Sequence, residues 1–245
     1  WTGVELRKQV GRVSMGVEFL TSMADQESGR FKDSDWAEDE APDKLSDYGE
    51  TDCRVRPSFQ LGTDLDVEIA DELGMPSAFS LRPLLGFRWQ RLRFMAHDGK
   101  QFGYSPEGNI TYEMPLPGSF RQDWYQTFLG ARLGYEWRDL PLLHRLELTS
   151  QLDWGLALGR NKDLHLLRGD RATKDRTTGS AWHMALGVNF GLTESLDLGV
   201  EAEYLNIEST GRHKMSDGQF SESWSDGVRV WSEQMSYTVN LGYRF

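Results

Sequence analysis

The sequence predicts an all-β fold: an antiparallel transmembrane β-barrel of the outer-membrane kind, built as one domain over residues 1–245. Three observations predict it. Apolar residues recur at every second position through almost the whole chain, which is the period of a strand and not of a helix. The two faces created by this alternation are unequal. One is apolar and aromatic, and the other carries Arg145, Glu147, Asp153, Glu201 and Glu203. Short and long connections also take turns between the segments. The competing architecture is a soluble sandwich or lipocalin-like barrel, which would turn the apolar face inward. Segments of about 14 to 20 residues are long for a sandwich. Low mean hydropathy (−0.57) with strict alternation fits a lipid-facing apolar band around a polar interior.

Eight long alternating segments follow one another. Between Val10 and Met23, the apolar Val13, Met15, Val17 and Phe19 alternate with Arg12, Ser14, Gly16 and Glu18. After a loop at 24–48, Val55, Phe59, Leu61, Leu65 and Val67 mark the second segment, which ends in a turn over 71–76. Phe79, Leu81, Leu85, Phe87 and Trp89 form the third. A Gly- and Pro-rich loop at 98–120 leads to Tyr125, Leu129, Leu133, Tyr135 and Trp137. A tight turn at 138–142 leads to Leu146, Leu148, Leu152, Trp154, Leu156 and Leu158. Beyond a charged loop at 160–176 come Trp182, Met184, Leu186, Val188 and Phe190, then the turn 191–195, then Leu196, Leu198, Val200 and Tyr204. A polar loop at 209–228 precedes Trp231, Met235, Tyr237, Val239, Leu241, Tyr243 and a terminal Phe245. In this reading Val13, Leu85, Leu133, Leu156, Met184, Val200 and Val239 face lipid, and Arg12, Gln90, Arg132, Gln151, Asn189, Glu201 and Asn240 face the lumen. Trp89, Tyr125, Tyr135 and Trp137 read as interfacial girdle.

Composition narrows the partners. The net charge of −11 argues against nucleic acid. The single cysteine, Cys53, rules out an internal disulfide framework and reads as inert. No window approaches 18 consecutive apolar residues, so no transmembrane helix is expected. The chain opens on Trp1 with neither an initiator Met nor a signal peptide, and reads as a mature or trimmed piece. If the last strand ends in the periplasm, the short turns are periplasmic and the four long loops are extracellular.

Two motifs fall on that extracellular side: Asp33-Ser34-Asp35-Trp36 and Asp163-Leu164-His165. Residues i and i+2 of an extended chain point the same way. Asp33 with Asp35, and Asp163 with His165, are therefore expected as two pairs able to hold and activate a water across a groove. Histidine suits a general base because its unperturbed pKa lies near neutrality. Two neighbouring carboxylates resist double ionisation and share a proton. Most other acids of the 33–52 stretch, such as Glu38, Asp39, Glu40 and Asp43, read as solvated. One histidine with two acid pairs and no cysteine cluster is a poor zinc set, so no metal is expected. His183 reads as a hydrogen-bonded barrel residue, and His97, His144 and His213 as solvent-exposed.

At this point the chain resembles the omptin family, the outer-membrane aspartate/histidine proteases of Gram-negative bacteria. The resemblance rests on strand order, loop lengths, Asp33-x-Asp35-Trp36, Asp163-x-His165 and the aromatic terminus, and spans nearly the whole chain. It implies a ten-stranded barrel standing above the membrane, with an extracellular catalytic groove at its top. It also implies an aspartic-type endopeptidase in which Asp33, Asp35, Asp163 and His165 are catalytic and water attacks the peptide carbonyl without a covalent intermediate. No cofactor is implied, but lipopolysaccharide is implied as an activator, alongside cationic peptide or protein substrates.

Three departures from the family pattern stand out. The resemblance implies that the first strand or so is missing: matching the first loop to the family leads one to expect roughly 50 further N-terminal residues. The substrate-binding position two before the catalytic Asp163 is commonly acidic in the family but is Asn161 here, which predicts a weaker preference for Arg. The family's Tyr, Glu and Arg for lipid A fall on Phe87, Trp89 and Arg91, so only Arg91 carries over as a lipopolysaccharide-binding residue. The alternative function is a non-enzymatic surface barrel, an adhesin acting through its acidic loops. A lipid A deacylase would want a His-x-Ser, which His165-Leu166-Leu167 does not supply.

Overall fold

Period-two alternation becomes strand wherever it was read. The structure, a computed structural model, describes residues 1–22, 26–36, 45–105, 108–114, 118–138, 140–165, 171–217 and 219–244. Its strands are β1 Thr2–Val10, β2 Val13–Thr21, β3 Gln26–Trp36, β4 Leu45–Val67, β5 Phe79–Ser105, β6 Gly108–Met114, β7 Gly118–Arg138, β8 Arg145–His165, β9 Arg171–Gly191, β10 Leu196–Ser216 and β11 Ser221–Tyr243. All pairings are antiparallel, in the order β1-β2-β4-β5-β7-β8-β9-β10-β11, with β3 on β4 and β6 on β5. A 3-10 turn at Asp71–Leu73 is closed by Gly74, whose φ of 69° suits a residue without a Cβ. No helix among the described residues is long and apolar enough to cross a membrane.

The four long loops are shorter than the sequence suggested. β3 and the start of β4 occupy most of 24–48, β5 and β6 extend through most of 98–120, and β8 and β9 run to His165 and from Arg171. The reason is physical. Above a membrane nothing apolar covers the outer face, so the hydrophobic alternation stops while the backbone ladder continues. β8 has 21 residues, whereas roughly 9–11 residues of a tilted strand cross a bilayer.

The outer face is apolar. Every residue expected to face lipid is exposed, from Met184 at 41% to Val239 at 73%. Two aromatic girdles bracket this band. Trp89 stacks on Tyr125 at 5.8 Å near the top, and Phe79 meets Tyr135 edge-on at 4.6 Å near the bottom. On β5 and β7 the girdles lie about ten residues apart, the length that spans a bilayer. Two expected lumen residues differ in detail. Arg12 sits in the β1–β2 turn and pairs outside the lumen with Glu72, because the strand begins only at Val13. Asn240 is exposed, yet its amide reaches over the inner face of Gly199 beside Asn189.

Polar groups fill the inner face. Asp66, 0% exposed, accepts hydrogen bonds from Arg7 (2.9 Å), Arg82 (3.2 Å) and Arg132 (2.8 Å). Gln90 on β5 exchanges hydrogen bonds with Gln234 on β11, two strands that are not neighbours in the sheet. The sheet is therefore curled around a filled lumen. Higher up, Trp124, Ala157, Ala181, Leu205 and Ile207 pack into a buried apolar cluster. Gly159 makes this possible, since a Cβ there would lie 2.6 Å from the Trp124 ring. The path ends on β1 and β11, with no ladder between them among the described residues, and β1 is exposed along its whole length.

Candidate active site at the open end of the barrel

The upper ends of the strands hold both sequence motifs. Asp33 and Asp35 lie at the end of β3, where they pair with Gly49 and Asp47 on β4. Asp163 and His165 end β8, with Asp163 between Phe120 and Thr173, and His165 between Gly118 and Arg171. All four backbone positions are therefore at one end of the barrel, opposite the short turns. The side chains of Asp33, Asp35 and His165 lie outside the described residues, as do Glu38, Asp39, Glu40 and Asp43. Asp163 is half-buried. Asn161, two residues below it, is 5% exposed. The Trp124 cluster lies directly beneath, because Gly159 pairs with Trp124 and Ala157 is two residues lower. Its burial lowers the local dielectric beneath the two motifs, which strengthens electrostatic interactions there.

β3 is tied to β4 beside the acid pair. The Tyr48 hydroxyl donates to Glu50 at 2.6 Å, and the Lys32 ammonium lies 3.3 Å from the same oxygen. Both hold the Glu50 carboxyl below its ordinary value, the tyrosine contact first. A depressed carboxyl stabilises the fold above its unfolded pKa of 4.5 and loses that contribution as pH falls through the folded value. The protection of β3 amides, corrected for their intrinsic exchange rate, should therefore fall as pH drops below 4.5, and Glu50→Gln should show a smaller fall. An equal fall in both proteins would mean that the contact does not hold the strand.

Sequence reasoning missed two features. His213 is not a free loop residue: it lies in β10, 25% exposed at its side chain, with Nδ1 2.7 Å from Asp175 Oδ1. The polar 209–228 stretch hid the strand that carries it. The second feature is a belt of cations above the upper girdle. One ladder row runs Arg212, Arg176, Arg160, Asp123 and Arg91, and the next runs Lys214, Lys174, Lys162, Arg121, Arg93 and Arg56. Arg93, Arg121, Arg160, Lys162, Lys174, Arg176, Arg212 and Lys214 are exposed on the outer face. Asp123, its side chain 4% exposed, is the only acid in these rows and is held by Arg91 (2.5 Å) and Arg121 (3.3 Å). Arg91 also lies over the Phe59 and Trp89 rings, and Arg160 over Tyr125. The signal was present in the sequence, since these residues continue the parity of the lipid-facing side chains.

The remaining histidines follow expectation in part. His183 is 4% exposed and hydrogen-bonded to Asp153 at 2.8 Å inside the barrel. His144 is exposed, whereas His97 is half-buried beside Asp98. Cys53 is buried.

Comparison with known proteins agrees with this architecture. A family model described as the Omptin family matches residues 3–245. The crystal structure of outer membrane protease OmpT from Escherichia coli is similar, with a TM-score of 0.82 at 17% identity, covering 96% of this chain and 79% of that one. No curated protein sequence matches the chain.

Proposed function

Because the chain belongs to the omptin family, we propose that it is an outer-membrane endopeptidase that hydrolyses peptide bonds at the cell surface of a Gram-negative bacterium, beside basic residues. The observation that carries this reading is the shared end of the barrel: the backbone positions of Asp33 and Asp35 on β3, and of Asp163 and His165 on β8, lie at the same end, beyond the buried Trp124 cluster. In the proposed reaction His165 takes a proton from water as the oxygen attacks the peptide carbonyl. Asp163 orients the imidazole and balances its charge, Asp33 and Asp35 bind the attacking water, and the imidazolium then protonates the departing amine. The enzyme is thus of the aspartic type, with no covalent intermediate and no metal. The acidic groove attracts cationic peptides. The test is incubation of the refolded protein with unstructured peptides and mapping of the new termini. Termini beside Arg or Lys support the reading, and peptides left intact by folded, lipopolysaccharide-bound protein overturn it.

Lipopolysaccharide is the proposed activator, and the cationic belt supports it. Like charges directly opposite one another destabilise a sheet, so Arg160 facing Arg176 and Lys162 facing Lys174 call for an anionic partner. Phosphorylated lipid headgroups at the top of the apolar band supply one, with Arg91 at the end of the belt. Replacing Arg160, Lys162, Lys174 and Arg176 by Gln should cut activation by lipopolysaccharide about 10-fold or more, because each charged contact is worth about 1.5–3 kcal/mol. Unchanged activation would remove the belt from the account.

A further inference from the structure

Asn161 stands where the family resemblance implies an acid, and the neighbouring strand holds one. Asn161 on β8 is paired with Asp175 on β9, and Asp175 with His213 on β10. Asn161 Nδ2 is 3.5 Å from Asp175 Oδ2, and His213 Nδ1 is 2.7 Å from Asp175 Oδ1. The Trp224 ring lies 5.6 Å from that of His213. Asn161 Oδ1 is buried and has no hydrogen-bond partner among the described residues, a costly state for a buried acceptor.

We infer that Asp175 supplies the carboxylate that receives the basic side chain beside the scissile bond, with Asn161 Oδ1 as a second acceptor and His213 as a positioning residue. The inference rests on the protease reading. A guanidinium carries five donors in a planar fork and matches two adjacent acceptors. Asp175 Oδ2 and Asn161 Oδ1 offer them from neighbouring strands. The 3.5 Å contact between the two side chains is long for a hydrogen bond, so Oδ2 keeps accepting capacity, while the shorter His213 contact holds the other oxygen. The side chain of Asp175 is 12% exposed, and burial strengthens a charged hydrogen bond formed there. The nearby Lys174 and Arg176 point to the outer face and do not compete for it. A carboxylate that merely tied β9 to β10 would be indifferent to the substrate side chain.

The test is the ratio of kcat/KM for an Arg peptide to that for the same peptide carrying neutral citrulline, measured on protein whose folding is checked by heat-modifiable gel migration. Asp175→Asn should lower the ratio about 10- to 100-fold, the range of one charged hydrogen bond. The double variant Asn161→Asp with Asp175→Asn carries the carboxylate across the strand pair and should restore much of the ratio. An unchanged ratio in Asp175→Asn, or a fall that the double variant does not repair, overturns the inference while leaving the protease reading intact. If the parent cuts no peptide, the protease reading fails instead. The inference is then decided by binding of the Arg and citrulline peptides to the parent and to Asp175→Asn: a preference for Arg that depends on Asp175 upholds the carboxylate's role, and its absence overturns it.

Discussion

His165→Ala is expected to lose several orders of magnitude in kcat while the barrel still folds. The imidazole is suited to take a proton at neutral pH, and in the proposed reaction it handles the proton twice, first from water and then to the leaving amine. Asp163→Asn should fall by a comparable factor, because an imidazolium without its carboxylate is poorly stabilised and poorly oriented. Asp33→Asn combined with Asp35→Asn removes the carboxylates that hold the water and should do the same. These residues end strands and lie well away from the apolar band, so folding should be unaffected. Activity near the parent level in refolded His165→Ala would sink the mechanism.

Asp66→Ala is expected to destabilise the barrel by about 3–5 kcal/mol, the range for removing one partner from a buried ion network. Arg7, Arg82 and Arg132 all donate to this carboxylate, which is 0% exposed. Removing it leaves three guanidiniums in the lumen with one fewer acid, and Asp64 and Glu68 already serve Arg7, Arg132 and Arg82. The change should appear as a lower urea midpoint with the slope unchanged. A shift below about 1 kcal/mol would mean that water has replaced the carboxylate and the network is solvated.

The fold was legible because a bilayer imposes a rule on every strand: alternate side chains meet lipid or lumen, and Leu85, Leu133, Leu156 and Val239 obey it. The rule fades above the membrane. There β3, β6 and the ends of β4, β5, β8 and β10 are held by backbone pairing, with polar residues on both faces, and they read as loops. The site was partly legible for the same reason. Asp163 and His165 are neighbours in sequence, so their spacing in an extended chain could be read directly. Asp175 and His213 are 38 residues apart and meet only through the register of β9 and β10. Trp124 escaped notice because it is an apolar residue on the lumen face, where alternation predicts a polar one. The cationic belt escaped because its charge continues an apolar parity, and the periodicity was followed only through hydrophobic residues.

The most direct measurement is the rate at which the refolded protein cuts a quenched fluorescent peptide containing one Arg, with lipopolysaccharide present and then absent. The account predicts steady cleavage beside the Arg with lipopolysaccharide and little or none without it. An intact peptide in the presence of lipopolysaccharide, from protein shown to be folded, would contradict the assignment of this barrel as a protease.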